Sequence, residues 1–203
     1  MMTGLILAGG PSKRMNGKRK ALLPFGGEIL LQRQIRELRK SCAEIIVAAE
    51  DPKPYLRLVD TDVRIITDYY HGKGPLGGMH AGLSLARHDS VWVVGCGMPF
   101  ISARAAVLLD QLRTCGAEAA IPLIEGREYP LHGVYGKSCA RQALALMERG
   151  ERHVSALMPA LRWIKADETF LLEAGIDPLF TMNIVTDEQY EHALQFAEKL
   201  AMM

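Results

Sequence analysis

Residues Gly4–Lys20 read GLILAGGPSKRMNGKRK, a short apolar run followed by a long connection rich in glycine and cations. The run from Gly4 to Ala8 predicts a buried strand, and the connection leaves its carboxyl end, where open α/β sheets bind ligands. The adjacent glycines Gly9 and Gly10 allow backbone amides to approach phosphate oxygens, and five cations follow between residues 13 and 20. The segment is therefore predicted to grip a polyphosphate, with an ordinary basic surface loop as the alternative.

Short apolar runs alternate with longer helical patterns along the rest of the chain, which indicates βαβ units. The predicted strands are Gly4 to Ala8, Glu44 to Ala48, Val63 to Ile66, Val91 to Cys96 and Ala117 to Pro122. The predicted helices are Leu30 to Lys40, Met79 to Arg87, Ala103 to Arg113, Lys137 to Arg149 and Glu188 to Met202. The fold class is therefore expected to be α/β with a mainly parallel central sheet. No repeat or linker interrupts the pattern, so residues 1–203 are expected to form one domain.

Composition excludes several classes of protein. The 24 Lys and Arg residues nearly balance the 23 Asp and Glu residues, and a net charge of +1 predicts no nucleic-acid or anionic-membrane partner. No apolar run approaches the roughly 20 residues of a membrane span, so a cytoplasmic protein is expected. The four cysteines form no CxxC pair and the six histidines no HExxH motif, so neither a disulfide framework nor a protein-built zinc site is predicted.

Two common nucleotide-binding loops are absent. The glycine spacing after the first strand is not GxGxxG, and no GxxxxGK[ST] occurs anywhere in the chain. The tripeptide from Gly136 to Ser138 has Leu131 where the first glycine of that second motif would stand. It is predicted to form a turn before a helix.

The stretch from Leu7 to Leu23 resembles the LAGGxSxRMGxxKxLL signature of the nucleotidyltransferase superfamily, and within it the molybdenum cofactor guanylyltransferases. The resemblance continues, in order, through Asp68, Gly74 to Gly78, Cys96 to Phe100, Pro122 to Tyr135, Arg152, His153 and Asn183. It spans nearly the whole chain and implies a Rossmann-like three-layer fold. It also implies transfer of GMP from GTP to molybdopterin with release of pyrophosphate, Mg²⁺ as cofactor, and contact with other proteins of the molybdenum cofactor pathway.

The resemblance also assigns roles to individual residues. Arg14 and Lys20 would be the catalytic cations, with Lys20 binding the nucleotide's phosphates and Arg14 sharing their charge. Asp68 would be a nucleotide-binding carboxylate able to orient a base, a ribose or a hydrated metal ion, although a solvated turn residue fits it too. The nucleotide-binding set implied by the resemblance is Leu7, Ala8, Gly9, Gly10, Lys20, Asp68 and Gly97.

Position 97 is the most informative departure from the family pattern. The family reads Cys-Asp-x-Pro, with the aspartate on Mg²⁺, but here Gly97 stands between Cys96 and Met98. Glycine supplies no ligand at this metal position, and Asp68 is the remaining candidate. Three interpretations are open: a nucleotide-bridged Mg²⁺ supported by Asp68, an inactive form, or a protein that only binds a nucleotide or cofactor. A related transferase that uses another nucleotide, such as CTP, or a sugar phosphate acceptor is a further alternative.

Other departures affect specificity. Glu50 lies near the position of a family asparagine that contacts the nucleotide, and its carboxylate can accept hydrogen bonds from guanine N1 and N2, with a surface residue as an equal alternative. Val185 replaces the second asparagine of an Asn-x-Asn-Thr segment, and Arg19 makes the phosphate loop more cationic. By resemblance His132 and Arg152 would line the acceptor pocket, with polar packing as an equal alternative.

Overall fold

The computed structural model describes residues 1–67, 70 and 72–201, the last of these by its backbone alone. Its strands are β1 (Met2–Leu7), β2 (Pro24–Phe25), β3 (Glu28–Ile29), β4 (Cys42–Ala48), β5 (Val63–Ile66), β6 (Ser90–Gly95), β7 (Ala119–Ile124), β8 (Arg127–Glu128), β9 (Gly133–Gly136) and β10 (Trp163–Asp167). Its α-helices are α1 (Leu30–Leu38), α2 (Gly74–Leu85), α3 (Ala103–Thr114), α4 (Ala140–Glu148), α5 (Glu168–Glu173) and α6 (Asp187–Ala201). Strands and helices alternate through most of this order, as predicted.

The central sheet has the strand order β10-β7-β9-β6-β1-β4-β5, with β8 paired to β7. Strands β5, β4, β1 and β6 are mutually parallel, as are β7 and β10. Strand β9 runs antiparallel to both of its neighbours, β6 and β7. The predicted mainly parallel α/β sheet is confirmed.

Helices cover both faces of this sheet. Along β1, Ile6 belongs to a buried cluster that includes Leu31 of α1 and Leu109 of α3. Its neighbour Leu5 belongs to a second cluster, with residues of α2 and α4. Because successive side chains of a strand point to opposite faces, one strand supplies both cores. The predicted three-layer arrangement is confirmed.

A third apolar cluster joins the loop after β1 to the last helix. Met15, Phe25, Leu30, Ile184 and Ala193 are buried together. Ile184 precedes α6, so this cluster holds the chain before α6 against the loop that follows β1. This packing brings the C-terminal part of the chain to the carboxyl edge of the sheet.

Several elements differ from the sequence prediction. Helix α2 begins at Gly74 and not at Met79. Pro75 fits its first turn because the N–H groups there have no partner within the helix, so the N–H that proline lacks is not needed. Strand β7 lies two residues later than predicted, at Ala119–Ile124. Strands β9 and β10 were not predicted. Strand β9 has only four residues, of which two are glycine, so its own sequence carries little strand signal.

Other predictions about the chain can be compared directly. Residues Lys137–Cys139 form a short 3-10 helix immediately before α4, which confirms the predicted turn before a helix. In the part of the chain that the structure describes, no helix has both the length and the apolar character that a bilayer crossing needs.

Candidate functional site

A cleft of about 430 Å³ lies at the carboxyl ends of β1, β4 and β6. In the sheet, β4 is the neighbour of β1 on one side and β6 is its neighbour on the other, and the chain fills the β4 side before it returns to form β6. The strand order therefore reverses between β1 and β6. Open α/β sheets bind ligands at such a topological switch point. The cleft is lined by Leu7, Ala8, Gly9, Gly10, Ser12, Lys20, Ala48, Ala49, Glu50, Gly72, Gly74, Pro75, Gly78, Gly95, Cys96, Gly97, Leu131 and Asn183. All of the predicted nucleotide-binding residues except Asp68 are therefore brought together.

The first wall of the cleft is the turn after β1. Ala8 continues the sheet by donating its N–H to the Ala48 carbonyl at 2.8 Å. Gly9 then takes a φ of +55°, a left-handed conformation that glycine adopts without strain. The amides of Gly9 and Gly10 donate to no backbone acceptor among the described residues. They are available to anionic oxygens in the cleft.

Lys20 supplies the positive charge of the site. It starts a short 3-10 helix, Lys20–Leu22, which is anchored by the fully buried Ala21. Among the described residues no carboxylate forms a salt bridge with Lys20. An unpaired ammonium group beside free backbone amides suits a phosphate chain.

The other cations of the loop are not among the lining residues of the cleft. Lys18 forms an ion pair with Asp187 of α6 at 2.8 Å, and Arg19 pairs with Asp51 at 3.4 Å. Arg14 is exposed on the turn Lys13–Met15 and does not contribute to the cleft lining. Its role on the nucleotide stays a prediction.

The floor of the cleft lies beyond β6, at Gly97. The carbonyl of Gly97 accepts a 2.7 Å hydrogen bond from the N–H of Ile184, which brings the neighbouring Asn183 into the lining. The Oδ1 atom of Asn183 is buried and has no hydrogen-bond partner among the residues that the structure describes. Asn183 belongs to the segment that resembles the family, yet nothing in its sequence position indicated that it would meet Gly97.

Two carboxylates remain to be located relative to the cleft, those of Glu50 and Asp68. Glu50 follows β4 and is exposed, and its carboxylate lies against Gly10, where a larger residue would collide with it. Asp68 lies outside the described residues. No group of three or more His, Cys, Asp or Glu residues suited to a metal ion occurs in the described part of the chain.

Two titratable side chains near the cleft have pKa values shifted by burial. Burial raises the pKa of the Cys96 thiol, so this lining residue stays protonated. Burial also lowers the pKa of His132 from 6.5 to about 3. His132 is fully buried, with its ring against Phe180 and Trp92, and its Nε2 accepts a 3.0 Å hydrogen bond from the Ser102 amide.

These surroundings favour polar packing over an acceptor contact for His132. Arg152 is exposed and is not part of the lining; its carbonyl caps the start of α2 by accepting from Leu76 N–H at 3.1 Å. Among the described residues, the lining therefore presents no activated nucleophile, and its amides and Lys20 are groups that can bind an anionic ligand.

A second cavity, of about 410 Å³, lies beside Pro99 and contains three arginines. The Arg33 guanidinium donates to the Pro99 carbonyl at 2.7 Å, Arg36 pairs with Glu28, and Arg104 donates to the Ala174 carbonyl at 2.7 Å. Because protein acceptors already engage these guanidinium groups, the cleft with the unpaired Lys20 is the better phosphate site.

Comparison with known proteins gives a consistent result. The family model described as "MobA-like NTP transferase domain" matches residues 4–166. A probable molybdenum cofactor guanylyltransferase of Pelotomaculum thermopropionicum is 39% identical over 140 residues, 68% of this chain and 65% of that protein. The molybdenum cofactor guanylyltransferase of Desulfosudis oleivorans is 30% identical over 95% of this chain and 94% of its own length.

A solved structure has the same fold. It is molybdopterin-guanine dinucleotide biosynthesis protein A from Archaeoglobus fulgidus, with a TM-score of 0.83 and 21% identity over 98% of this chain and 100% of that one. The alignment with the Pelotomaculum protein spans just under two thirds of that relative. Since the family model matches far more than half of the sequence, the chain belongs to the MobA-like NTP transferase family.

Proposed function

We propose that this protein transfers GMP from GTP to molybdopterin and releases pyrophosphate. The observation that carries the proposal is the unpaired Lys20 in a glycine-lined cleft at the switch point of the sheet. The names of the two curated relatives support GTP and molybdopterin as substrates. Pathway proteins that deliver molybdopterin would be its partners.

Different residues of the cleft would bind the phosphates and the base of the nucleotide. The amides of Gly9 and Gly10 and the ammonium group of Lys20 would bind the phosphates, with Arg14 approaching from the exposed side. Glu50 would meet the base, because a carboxylate can accept hydrogen bonds from guanine N1 and N2. Asp68 stays a predicted contact to the base, the ribose or a hydrated metal ion.

In the proposed reaction the protein forms no covalent bond to the substrates. A terminal phosphate oxygen of molybdopterin attacks the α-phosphorus of GTP, the bond from that phosphorus to its bridging oxygen breaks, and pyrophosphate leaves with the electron pair. Lys20 and the loop amides offset the negative charge that develops on the leaving group. The protonated Cys96 and the neutral, buried His132 agree with a mechanism that uses no side-chain nucleophile.

Mg²⁺ is the proposed cofactor, and among the described lining residues Glu50, which we assign to the base, carries the one carboxylate. The carboxylate expected at position 97 is absent, but the buried Oδ1 of Asn183 has no partner and is the kind of hard oxygen donor that Mg²⁺ accepts. Asn183 would therefore hold the ion, together with the phosphates of the nucleotide. When bound, Mg²⁺ supplies further neutralisation of phosphate charge.

A second function is favoured by Gly97. A cleft that binds a nucleotide but holds its metal ion weakly suits a protein that stores or transfers a nucleotide or cofactor without turnover. This alternative predicts tight nucleotide binding together with negligible pyrophosphate release.

One assay separates the two functions. Purified protein, Mg²⁺ and molybdopterin are mixed with GTP, CTP, ATP or UTP in turn, and pyrophosphate release and the mass of the product are measured. We expect release with GTP and a product heavier than molybdopterin by one GMP unit. Release only with CTP would replace the base assignment, and binding of GTP without release would support the second function.

A thermal-shift titration checks the premise of both functions. A ligand that binds the folded chain raises its melting temperature with the logarithm of ligand concentration. We expect this rise with GTP. No rise with any of the four triphosphates would contradict both proposed functions.

A further inference from the structure

Arg19 links the two sides of the cleft without being part of its lining. It directly precedes Lys20 in the chain, and its Nη2 atom donates to Oδ2 of Asp51 at 3.4 Å. Asp51 directly follows Glu50, which lines the cleft. One ion pair therefore joins the residue before Lys20, on the side proposed for the phosphates, to the residue after Glu50, on the side proposed for the base.

Both ends of this ion pair rest on the same buried core. Ala21, which follows Lys20, and Tyr55, in the short 3-10 helix that follows Asp51, are fully buried members of the first of the three apolar clusters. Asp51 is itself held in place, because its Oδ1 accepts a 3.1 Å hydrogen bond from the Lys53 N–H. The pair thus joins two anchored segments, and a change in its length changes the separation of the two sides of the cleft.

The contacts of Arg19 are incomplete. Its 3.4 Å hydrogen bond to Asp51 is longer than the usual range of about 2.7–3.2 Å. Nη1 of Arg19 and the hydroxyl of Tyr55 are both buried, and neither has a hydrogen-bond partner among the described residues. Burial raises the pKa of the Tyr55 phenol, and the nearby charge of Arg19 opposes that rise, so the two groups are neighbours. A guanidinium N–H can donate to a phenol oxygen, so a small approach of the two segments would join them.

We propose that Arg19 is a positioning residue, whose contacts with Asp51 and Tyr55 draw the two sides of the cleft together around a nucleoside triphosphate. This inference rests on the proposed nucleotide-binding function of the cleft. Lys20 would bind the phosphates and Glu50 the base, so only a ligand that has both parts draws Arg19 towards Asp51 and Tyr55. Contacts that are stronger in the complex than in the protein alone add to the affinity for that ligand.

Calorimetric titration with a non-hydrolysable GTP analogue tests the proposal. Arg19→Ala should weaken binding about tenfold, or about 1.4 kcal/mol, because the contacts that strengthen on binding are lost. Its melting temperature should fall by no more than about 3 °C, because a partly exposed ion pair contributes little to stability. A merely structural role would instead lower the melting temperature and leave the affinity of the folded variant unchanged.

The chain offers a matched control for the loss of charge. Lys18 belongs to the same loop and also pairs with an aspartate, but this partner, Asp187, lies on α6 and away from Glu50 in the chain. Because solvent and salt screen an exposed charge, Lys18→Ala should change affinity by no more than about twofold.

Two further variants separate positioning from direct contact with the phosphates. Asp51→Asn keeps an oxygen for the Lys53 N–H but removes the charge that attracts Arg19, so we expect binding to weaken about fivefold. If Arg19 bound the phosphates directly, this variant would bind the analogue as tightly as the native chain or more tightly. Tyr55→Phe removes the hydroxyl alone and should weaken binding about threefold.

A double-mutant cycle tests whether Arg19 acts through Asp51. Because the two side chains contribute one interaction, Arg19→Ala combined with Asp51→Asn should bind within about twofold of Arg19→Ala alone. Additive losses would show that the two residues act independently and would overturn the proposal. An unchanged or increased affinity in Asp51→Asn would overturn it too.

A ligand without a base supplies a second readout. Inorganic tripolyphosphate, titrated in competition with a fluorescent GTP analogue, would reach Lys20 but not Glu50. Arg19→Ala should therefore weaken tripolyphosphate binding by no more than about twofold. An equal loss for tripolyphosphate and for the GTP analogue would show that Arg19 acts on the phosphate side alone, which contradicts the proposal.

The inference and the proposed function fail in different ways. If the native chain binds neither the GTP analogue nor tripolyphosphate, the proposed function is wrong. If the native chain binds the analogue and Arg19→Ala binds it equally well, the proposed function survives and only the role of Arg19 is wrong.

Discussion

Strand β4 carries a glutamate near each end, and the two carboxylates have opposite surroundings. At its amino end Glu44 is buried and accepts hydrogen bonds from the Thr3 hydroxyl at 2.7 Å, the Arg87 amide at 2.8 Å and the Arg64 guanidinium. Beyond its carboxyl end Glu50 is exposed at the cleft and has no hydrogen bond or ion pair among the described residues. The protein satisfies one carboxylate completely and leaves the other available.

The acidity of Glu44 reflects its position. Burial acts to raise its pKa, but the Arg87 amide, the Thr3 hydroxyl and the charge of Arg64 together hold that pKa below its ordinary value. At the cleft the pattern is reversed, since Lys20 has no salt-bridge partner and Asn183 Oδ1 has no hydrogen bond among the described residues. The hydrogen-bonded carboxylate of Glu44 contributes to the stability of the fold, whereas Lys20 and Asn183 Oδ1 at the cleft are available to a ligand.

The largest expected effect is on stability at the amino end of β4. Glu44→Gln removes the charge from a buried network and leaves Arg64 without its counter-ion, so we expect a loss of about 3 kcal/mol in the free energy of unfolding. Urea unfolding measures this loss. GTP affinity should be unchanged in the folded variant, and a change in affinity would show that the two ends of β4 are coupled.

The next effect is on binding and not on stability. Lys20→Ala removes the unpaired ammonium group from the cleft, and we expect about 30-fold weaker GTP binding, or about 2 kcal/mol. Isothermal titration calorimetry measures it, with Lys199→Ala on α6 as the control for loss of one positive charge. Unchanged affinity would remove Lys20 from the phosphate site.

A pH effect tests whether His132 is buried in its neutral form. Its folded-state pKa of about 3 lies below the ordinary 6.5, so below pH 6.5 the unfolded chain takes up a proton that the folded chain does not. Stability is therefore complete above that pH and is lost as pH falls through this window. Between pH 7.5 and 5.5 we expect a loss of about 1.4 kcal/mol from this residue.

Chemical unfolding at several pH values measures this contribution. His132→Asn should flatten the dependence, because asparagine does not titrate and tolerates the positive φ of 81° at this position. His153→Gln, an exposed change, should leave the dependence as it is. If the flattening occurred in the second variant instead, His132 would not be the buried neutral group.

The smallest effect concerns base preference. Glu50→Gln replaces a carboxylate by a group with one acceptor oxygen, so we expect the preference for GTP over ATP to fall about fivefold, or about 1 kcal/mol. Stability should change by no more than about 0.5 kcal/mol, in contrast to the same substitution at Glu44. Competition binding of GTP and ATP measures the ratio, and an unchanged ratio would place the base elsewhere in the cleft.

Much of the fold was predictable because its signals are local. The apolar runs of β1, β4, β5 and β6 and the periodic pattern of α1 and α3 gave elements close to those observed. Strand β9 was missed because its pairing between β6 and β7 comes from distant residues and not from its own four-residue sequence. The start of α2 was not predicted because the pair Gly74-Pro75 is typical of a turn as well as of the first turn of a helix.

The loop from Leu7 to Lys20 illustrates the same division. Its glycines and cations, and their place after an apolar strand, are sequence properties that predict a phosphate site. The family was indicated by the resemblance of the whole stretch from Leu7 to Leu23 together with the later blocks of the chain. Which cation faces the cleft depends on distant partners: Asp187 engages Lys18 and Asp51 engages Arg19, while Lys20 is left unpaired among the described residues. Asn183 and Gly97 are about ninety residues apart in sequence, and their meeting likewise required the packing of Ile184 into the third apolar cluster. Contacts across such distances are set by tertiary packing and have no local signal.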